Sequence, residues 1–151
     1  QYDSHHSYHI LNNPCLEVSQ WNWSVDPVGL RIALRDIYEK YRLPVMVVEN
    51  GLGVEDIFEN GTVIDDKRIT YLDAHIKQVG KAIEEGVDCR GYLVWGPIDI
   101  LSSQADMNKR YGMIYVNRDN NNLRDMNRYK KKSFEWYKNV IHSNGGLIDD
   151  E

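Results

Sequence analysis

Residues 43–51 have the sequence Leu-Pro-Val-Met-Val-Val-Glu-Asn-Gly, and this stretch carries the strongest structural signal in the chain. Residues 45–48 form a short apolar run that is mostly β-branched, which is typical of a strand buried on both faces of a parallel sheet. Glu49 follows the strand directly, where burying a carboxylate without a partner is costly. Functional groups of parallel α/β folds cluster where strands end, so Glu49 is a candidate functional residue, with a salt-bridged or helix-capping carboxylate as the alternative.

The segments on either side of this strand alternate between helix and strand. An extended or loop lead-in over residues 1–27 precedes an amphipathic helix predicted for residues 28–41. The later predicted elements are a loop over 52–66, a helix from Leu72 to Ile83, a strand over 91–95, an irregular stretch over 98–128 with a short strand at 113–116, and a helix from Phe134 to Ile141. The order αβαβα over residues 28–144 indicates a parallel α/β sheet. Because a barrel needs eight strands, we expect residues 1–151 to form a single unit that is incomplete as a barrel.

Composition excludes several classes of protein. The net charge is −5 with both signs mixed along the chain, so a nucleic-acid partner is not expected. The one basic cluster, residues 130–132, is interpreted as a solvated helix end. No secretory segment opens the chain and no apolar run approaches the ~20 residues of a membrane span, which predicts a cytoplasmic protein with no membrane partner.

The cysteines and histidines do not form a recognisable metal site. Cys15 and Cys89 lie far apart without metal-ligand spacing, and we expect them to be free buried thiols in a reducing compartment. His5, His6 and His9 cluster near the start of the chain, but no companion Cys, Asp or Glu set supports a metal centre.

Five stretches along the chain carry recognisable motifs. In order they are Ser-Gln-Trp-Asn-Trp at 19–23 with Asp-Pro-Val-Gly-Leu-Arg at 26–31, the stretch 43–51, Gly-Tyr-Leu-Val-Trp-Gly-Pro-Ile-Asp at 91–99, Lys-Arg-Tyr-Gly-Met-Ile-Tyr-Val at 109–116, and Lys-Lys-Ser-Phe-Glu-Trp-Tyr at 131–137. Together they resemble the C-terminal part of glycoside hydrolase family 1 enzymes. The resemblance implies a (β/α)8 TIM barrel, of which this chain supplies about the last two strands with their helices.

The same resemblance implies a retaining glycosidase mechanism. Glu49 matches the family's nucleophile, and nearby positive or hydrogen-bonding groups should keep it ionised. Trp95 matches the end of strand eight, where an indole can serve as a platform for a sugar ring, with plain core packing as the alternative. The family's acid/base lies in an Asn-Glu motif after strand four, and no Asn-Glu dipeptide occurs in this sequence. The isolated chain is therefore expected to be inactive.

The loop between residues 99 and 111 indicates the substrate. Where family members acting on neutral sugars carry a Glu-Trp pair, this chain has Ser102-Ser103, followed by Lys109 and Tyr111. Hydroxyls and an ammonium bind a phosphate that a carboxylate would repel. This arrangement resembles the phosphate site of the family's 6-phospho-glycosidases. The loop is shorter by one residue than is usual in 6-phospho-β-glucosidases, so the choice between Ser102 and Ser103 stays open.

The expected activity of the full-length protein is hydrolysis of 6-phospho-β-D-glucosides, such as phosphorylated cellobiose or aryl β-glucosides. Three alternatives remain: a 6-phospho-β-galactosidase, a neutral-sugar β-glucosidase, and a non-catalytic module that binds a sugar phosphate or a partner. The expected partners are a small 6-phospho-sugar and the missing N-terminal part of the barrel. No cofactor or metal is implied because two carboxylates suffice for this chemistry. The oligomeric state is left open.

Overall fold

The predicted alternation of helices and strands is present in a computed structural model of the chain, which describes residues 13–146. In chain order the elements are α1 (Pro27–Tyr41), β1 (Val45–Asn50), β2 (Phe58–Glu59), β3 (Thr62–Val63), α2 (Asp66–Glu84), β4 (Cys89–Val94), β5 (Ile114–Val116), β6 (Arg128–Lys130) and α3 (Lys132–His142). The three helices and the strands β1, β4 and β5 confirm the sequence-based prediction. The strands β2, β3 and β6 are additional, and each has only two or three residues.

The chain enters β1 through a well-capped helix. Asp26 accepts a hydrogen bond from the Gly29 N–H at 2.8 Å, and Pro27 occupies the first turn, where its missing N–H removes no helical bond. At the other end Arg42 adopts the left-handed conformation with φ 53°, and its N–H donates to the Tyr38 carbonyl at 2.8 Å. These two ends fix the length of α1 and the start of β1.

The strands β1 and β4 form a parallel pair with α2 as the crossover between them. Val45 is paired with Cys89, Val47 with Tyr92 and Asn50 with Val94, with register shifts between these pairs. Because the strands are parallel, their carboxyl ends lie at the same edge of the sheet. The residues that follow Asn50 and Val94 are thereby brought side by side.

The described residues cover only one face of this strand pair. The core lies between the pair and the helices α1 and α2, and its buried members are Leu34, Val47, Val79, Ala82 and Val87. On the opposite face Met46, Val48 and Leu93 are 47%, 68% and 48% exposed. The prediction of a strand buried on both faces is wrong for this chain, because the two parallel strands described here cannot close around that face as eight strands do.

The loop predicted over residues 52–66 contains a small hairpin. Phe58 is paired with Val63 and Glu59 with Thr62 in antiparallel register. The connecting Asn60 and Gly61 have φ values of 52° and 79°, as a two-residue type I′ turn requires. The Asn-Gly pair was the sequence signal for this turn, but the flanking strands are too short to show an alternating pattern.

A network of buried charges joins the segments that follow the strands to the start of α3. Asp99 accepts hydrogen bonds from the Arg110 guanidinium at 2.9 Å, from the Lys131 ammonium at 2.7 Å and from the Gly112 N–H at 3.0 Å. The Lys131 ammonium also pairs with Asp56. Lys131 is 1% exposed, so the interpretation of residues 130–132 as a solvated helix end is wrong at this position.

The second half of this ionic network lies at the start of α2. The Arg68 guanidinium donates to Asp56 at 3.2 Å, pairs with Asp65 and donates to the Arg110 carbonyl at 3.0 Å. Asp65 also accepts from the N–H and the hydroxyl of Ser133 at 2.9 and 2.6 Å. The ionic network is defined here by three carboxylates and three cations: Asp56, Asp65, Asp99, Arg68, Arg110 and Lys131. Its charges balance, as buried charges must.

Candidate active site

Glu49 lies near the carboxyl end of β1 with an exposed side chain. Among the residues that the structure describes, none forms a hydrogen bond or an ion pair with its carboxylate. The partners expected from the sequence are therefore not supplied by residues 13–146. A carboxylate that is exposed at a strand end and unpaired among residues 13–146 is available to contact a ligand.

The neighbouring Asn50 is held in place by two phenols. Its side-chain oxygen accepts from the Tyr92 hydroxyl at 2.6 Å, and its side-chain nitrogen donates to the Tyr71 hydroxyl at 3.4 Å. Burial raises the pKa of both Tyr92 and Tyr71 above 10.0, so both phenols stay protonated at neutral pH. Asn50 thereby ties β1 to β4 and to α2 beside the carboxylate.

Trp95 follows β4 directly and lies beside the Glu49 segment. The backbone N–H of Trp95 donates to the Asn50 carbonyl at 2.8 Å. A Cβ added at Gly51 would lie 3.2 Å from the Trp95 Cβ. Trp95 as a whole residue is 38% exposed, and its indole meets the Tyr111 ring edge-on, with centroids 6.3 Å apart. Trp95 is therefore not fully packed among the described residues, and its role as a platform for a sugar ring stays a prediction.

One cavity of about 350 Å³ collects most of the predicted site residues. It is lined by Trp23, Glu49, Asn50, Gly51, Tyr71, Trp95, Ile100, Leu101, Ser102, Ser103 and Tyr111. Five of the six residues chosen from the sequence are in this set, and Lys109 is the exception. The cavity also contains residues to which sequence reasoning assigned no role. Trp23 and Asn50 lie inside quoted motifs, whereas nothing in the sequence marks Tyr71, which directly precedes a predicted helix.

The two serines of the loop have different environments. Ser102 is buried, its hydroxyl accepts from the Asp106 N–H at 3.1 Å, and its carbonyl accepts from the Ala105 N–H at 2.9 Å. Ser103 is exposed. Ser102 therefore shapes the turn, although its hydroxyl can still donate one hydrogen bond to a ligand. Ser103 is the more accessible of the two hydroxyls.

Lys109 lies behind an aromatic wall of the cavity. Its ammonium is 3.9 Å from the ring centroid of Trp23 and 5.5 Å from that of Trp21, within the range of cation–π attraction. Burial lowers the pKa of the Lys109 ammonium, and the charge of Asp106 opposes that shift. The flexible stem of lysine would let the ammonium move from Trp23 to an anion in the cavity.

Tyr111 is close enough to Glu49 for the carboxylate charge to affect its phenol. Burial raises the pKa of Tyr111 above 10.0, and the negative charge of Glu49 raises it further. The phenol is therefore protonated at neutral pH and can donate a hydrogen bond into the cavity.

No cluster of three potential metal ligands occurs among the residues that the structure describes. His5, His6 and His9 lie outside these residues. His75 is buried, and its Nδ1 lies 2.7 Å from the Tyr71 carbonyl, which explains it as a packing residue. Cys15 and Cys89 are free thiols, but Cys15 is exposed and Cys89 is only half-buried, contrary to the expectation that both are buried. None of the described helices is long and apolar enough to cross a membrane.

Parallel strands that end in a carboxylate, an indole and hydroxyls around one cavity define part of an α/β enzyme with its site at the carboxyl edge of the sheet. The family model of glycosyl hydrolase family 1 matches residues 1–146. The chain belongs to this family.

Proteins with similar sequence or structure agree with this assignment. The chain is 53% identical over 144 residues to a 6-phospho-β-glucosidase of Dickeya chrysanthemi and 50% identical over 143 residues to a phospho-cellobiase of Klebsiella oxytoca. These matches cover 92% and 93% of this chain and 31% of each relative. A family 1 β-glucosidase from Thermotoga maritima superposes with a TM-score of 0.80 at 36% identity, covering 89% of this chain and 30% of that structure. The chain thus spans about a third of its relatives' length and corresponds to their C-terminal part.

Proposed function

We propose that the full-length protein hydrolyses 6-phospho-β-D-glucosides with retention of configuration. The observation that carries this proposal is that Glu49 shares one cavity with Trp95, Ser102, Ser103 and Tyr111. The names of the two relatives, a 6-phospho-β-glucosidase and a phospho-cellobiase, support the same substrate class. The proposal places the enzyme in the cytoplasm, where sugars phosphorylated during uptake are met.

Glu49 acts as the nucleophile in this proposal. Its carboxylate attacks the anomeric carbon and forms a glycosyl ester, while the bond to the leaving oxygen breaks and that oxygen takes a proton from a second carboxylic acid. The same second group then removes a proton from water, which attacks the ester and releases the sugar. The exposed position of Glu49 leaves its oxygens open to the substrate.

The second carboxylic acid comes from another part of the full-length protein. A retaining pair requires two carboxyl groups about 5–5.5 Å apart. Glu49 is the only carboxylate among the described residues that line the cavity. We therefore expect the isolated chain to have no efficient glycosidase activity.

The phosphate is bound by the loop that follows β4. Ser103 and Tyr111 line the cavity, the Ser102 hydroxyl has one free donor, and the Lys109 ammonium lies against the ring of Trp23, another lining residue. Two or three hydroxyl donors with one ammonium suit a dianionic phosphate. The Trp95 ring supports the sugar face between the phosphate and Glu49.

The test compares hydrolysis of p-nitrophenyl β-glucoside, its 6-phosphate ester and the corresponding galactoside 6-phosphate by the full-length protein. We expect turnover of the glucoside 6-phosphate to be the fastest. Faster turnover of the galactoside 6-phosphate would move the assignment to a 6-phospho-β-galactosidase. Equal or faster turnover of the neutral glucoside would overturn the phosphate site, and binding of the phosphate ester without any turnover would leave only a sugar-phosphate-binding protein.

A further inference from the structure

Gly53 is packed beneath the side chains of two proposed phosphate-binding residues. A Cβ added at this buried glycine would lie 2.9 Å from both Cγ and Cε of Lys109 and 3.0 Å from Cε1 of Tyr111. Real Cβ atoms rarely approach other carbon atoms this closely, since the van der Waals optimum is about 3.5–4.0 Å. Gly53 does not have a positive φ, so the demand for glycine comes from space and not from backbone conformation.

The two segments that meet at Gly53 are held in register by their backbones. Val54 and Arg110 exchange two hydrogen bonds, with the Val54 N–H donating at 3.0 Å and the Arg110 N–H donating at 3.1 Å. Arg110 lies between Lys109 and Tyr111 in sequence. The Lys109 and Tyr111 side chains are thereby placed over the neighbouring Gly53.

Arg110 cannot move away to make room for a larger residue at position 53. Its guanidinium donates to Asp99 at 2.9 Å, to the Val116 carbonyl at 3.0 Å and to the Arg118 carbonyl at 2.6 Å. A shift of the backbone at residue 110 would break buried charge-assisted hydrogen bonds. The strain of an added Cβ therefore falls on the Lys109 and Tyr111 side chains.

We infer that Gly53 is a specificity-determining residue, because the absence of a Cβ lets Lys109 and Tyr111 converge on the substrate phosphate. This inference rests on the proposed function. Lys109 and Tyr111 are 3% and 7% exposed, so neither can relax into solvent without losing its packing against Trp23 or Trp95. A side chain at position 53 displaces the ammonium and the phenol from the phosphate and leaves Glu49 in place.

The experiment measures kcat and KM of the full-length protein with p-nitrophenyl β-glucoside 6-phosphate and with the neutral glucoside. The variants are Gly53→Ala, Lys109→Ala and the double variant. Gly80→Ala is the matched control, because Gly80 lies on α2 with nothing within 4 Å of an added Cβ. We expect Gly53→Ala to raise KM for the phosphate ester about tenfold, since a misplacement of about 1 Å in a positioned site can cost up to about 100-fold. Its kcat/KM for the neutral glucoside should change less than about twofold.

The double variant shows whether Gly53→Ala weakens phosphate binding through Lys109 or disturbs the site as a whole. Because the added Cβ still meets Tyr111 once Lys109 is shortened, adding Gly53→Ala to Lys109→Ala should raise KM for the phosphate ester by clearly less than the roughly tenfold expected for Gly53→Ala alone. Multiplicative effects of the two substitutions would overturn the inference, as would equal losses on both substrates. If Gly53→Ala prevents folding, the shortened side chain in the double variant should restore soluble protein, and failure to restore it would also overturn the inference.

The substrate preference of the wild-type protein distinguishes a failure of this inference from a failure of the proposed function. A wild type with no preference for the phosphate ester overturns both. A clear preference that persists unchanged in Gly53→Ala overturns only the role of Gly53.

Discussion

The ionic network and the cavity both contain carboxylates, but the surroundings of these carboxylates are opposite. In the ionic network every carboxylate has at least two donors, and the side chains of Asp99 and Lys131 are 0% exposed. In the cavity the carboxylate of Glu49 is exposed and has no partner among the described residues. A buried charge that is fully paired holds segments together, whereas an accessible carboxylate at a strand end is available for chemistry.

The two regions meet in residues 109–111. The Arg110 side chain belongs to the ionic network, and the Tyr111 ring lines the cavity while Lys109 lies behind Trp23. Alternation of side chains along an extended segment produces this division. The position of the proposed phosphate site therefore depends on the integrity of the ionic network, and substitutions in each region should have different signatures.

The largest effect is expected for Glu49→Gln in the full-length protein. Loss of the proposed nucleophile should lower kcat for the phosphate ester by about 10⁴- to 10⁶-fold, as for other essential catalytic groups. The free energy of unfolding should change by less than about 0.5 kcal/mol, because none of the described residues pairs with this exposed carboxylate. Kinetics and urea denaturation check both statements. Glu59→Gln, an exposed glutamate on β2, is the control and should keep full activity.

For Lys131→Met we expect a large loss of stability, in contrast to Glu49→Gln. Removing this ammonium leaves Asp56 and Asp99 without one of their cations, which should lower the free energy of unfolding by about 3–5 kcal/mol. Urea denaturation of the full-length protein measures this change. The adjacent Lys130→Met is a matched control, since Lys130 pairs with Glu135 at the surface and should contribute less than about 1 kcal/mol. Equal losses in the two variants would contradict a structural role for the ionic network.

The comparison also shows which features sequence could predict. Apolar spacing defined α1, α2 and α3, and the β-branched run before Glu49 defined β1 and the edge at which the site lies. Parallel pairing then brought Trp95 and the serine loop to Glu49, as the resemblance implied. These features follow from local periodicity and from the shared edge of parallel strands.

The ionic network could not be predicted because its partners are far apart in sequence. Lys131 is 75 residues from Asp56 and 32 from Asp99, and nothing distinguishes it from the exposed Lys130 and Lys132 beside it. Burial of a charge depends on tertiary partners that no local pattern encodes. The contact of Lys109 with Trp23 was missed for the same reason.

A moderate effect confined to one substrate is expected for Lys109→Met. The methionine keeps an unbranched stem over Gly53 but removes the charge. A hydrogen bond to a charged group contributes about 1.5–3 kcal/mol, so KM for the phosphate ester should rise about 10- to 100-fold. Hydrolysis of the neutral glucoside should be nearly unchanged in a parallel assay. A similar loss on both substrates would show that Lys109 supports the cavity and does not bind phosphate.

The smallest effect tests the electrostatic coupling between the Glu49 carboxylate and the Tyr111 phenol. Burial and the Glu49 charge raise the pKa of Tyr111 above 10.0, so the folded protein keeps this proton where the unfolded chain has lost it. The resulting contribution to stability is present below pH 10 and is lost as pH rises through the folded-state pKa. The phenolate difference spectrum between wild type and Tyr111→Phe should show a titration above pH 10. Glu49→Gln should shift it to lower pH because one of the two causes is removed, and an unchanged midpoint would mean that burial alone sets the pKa and that the carboxylate does not act on the phenol.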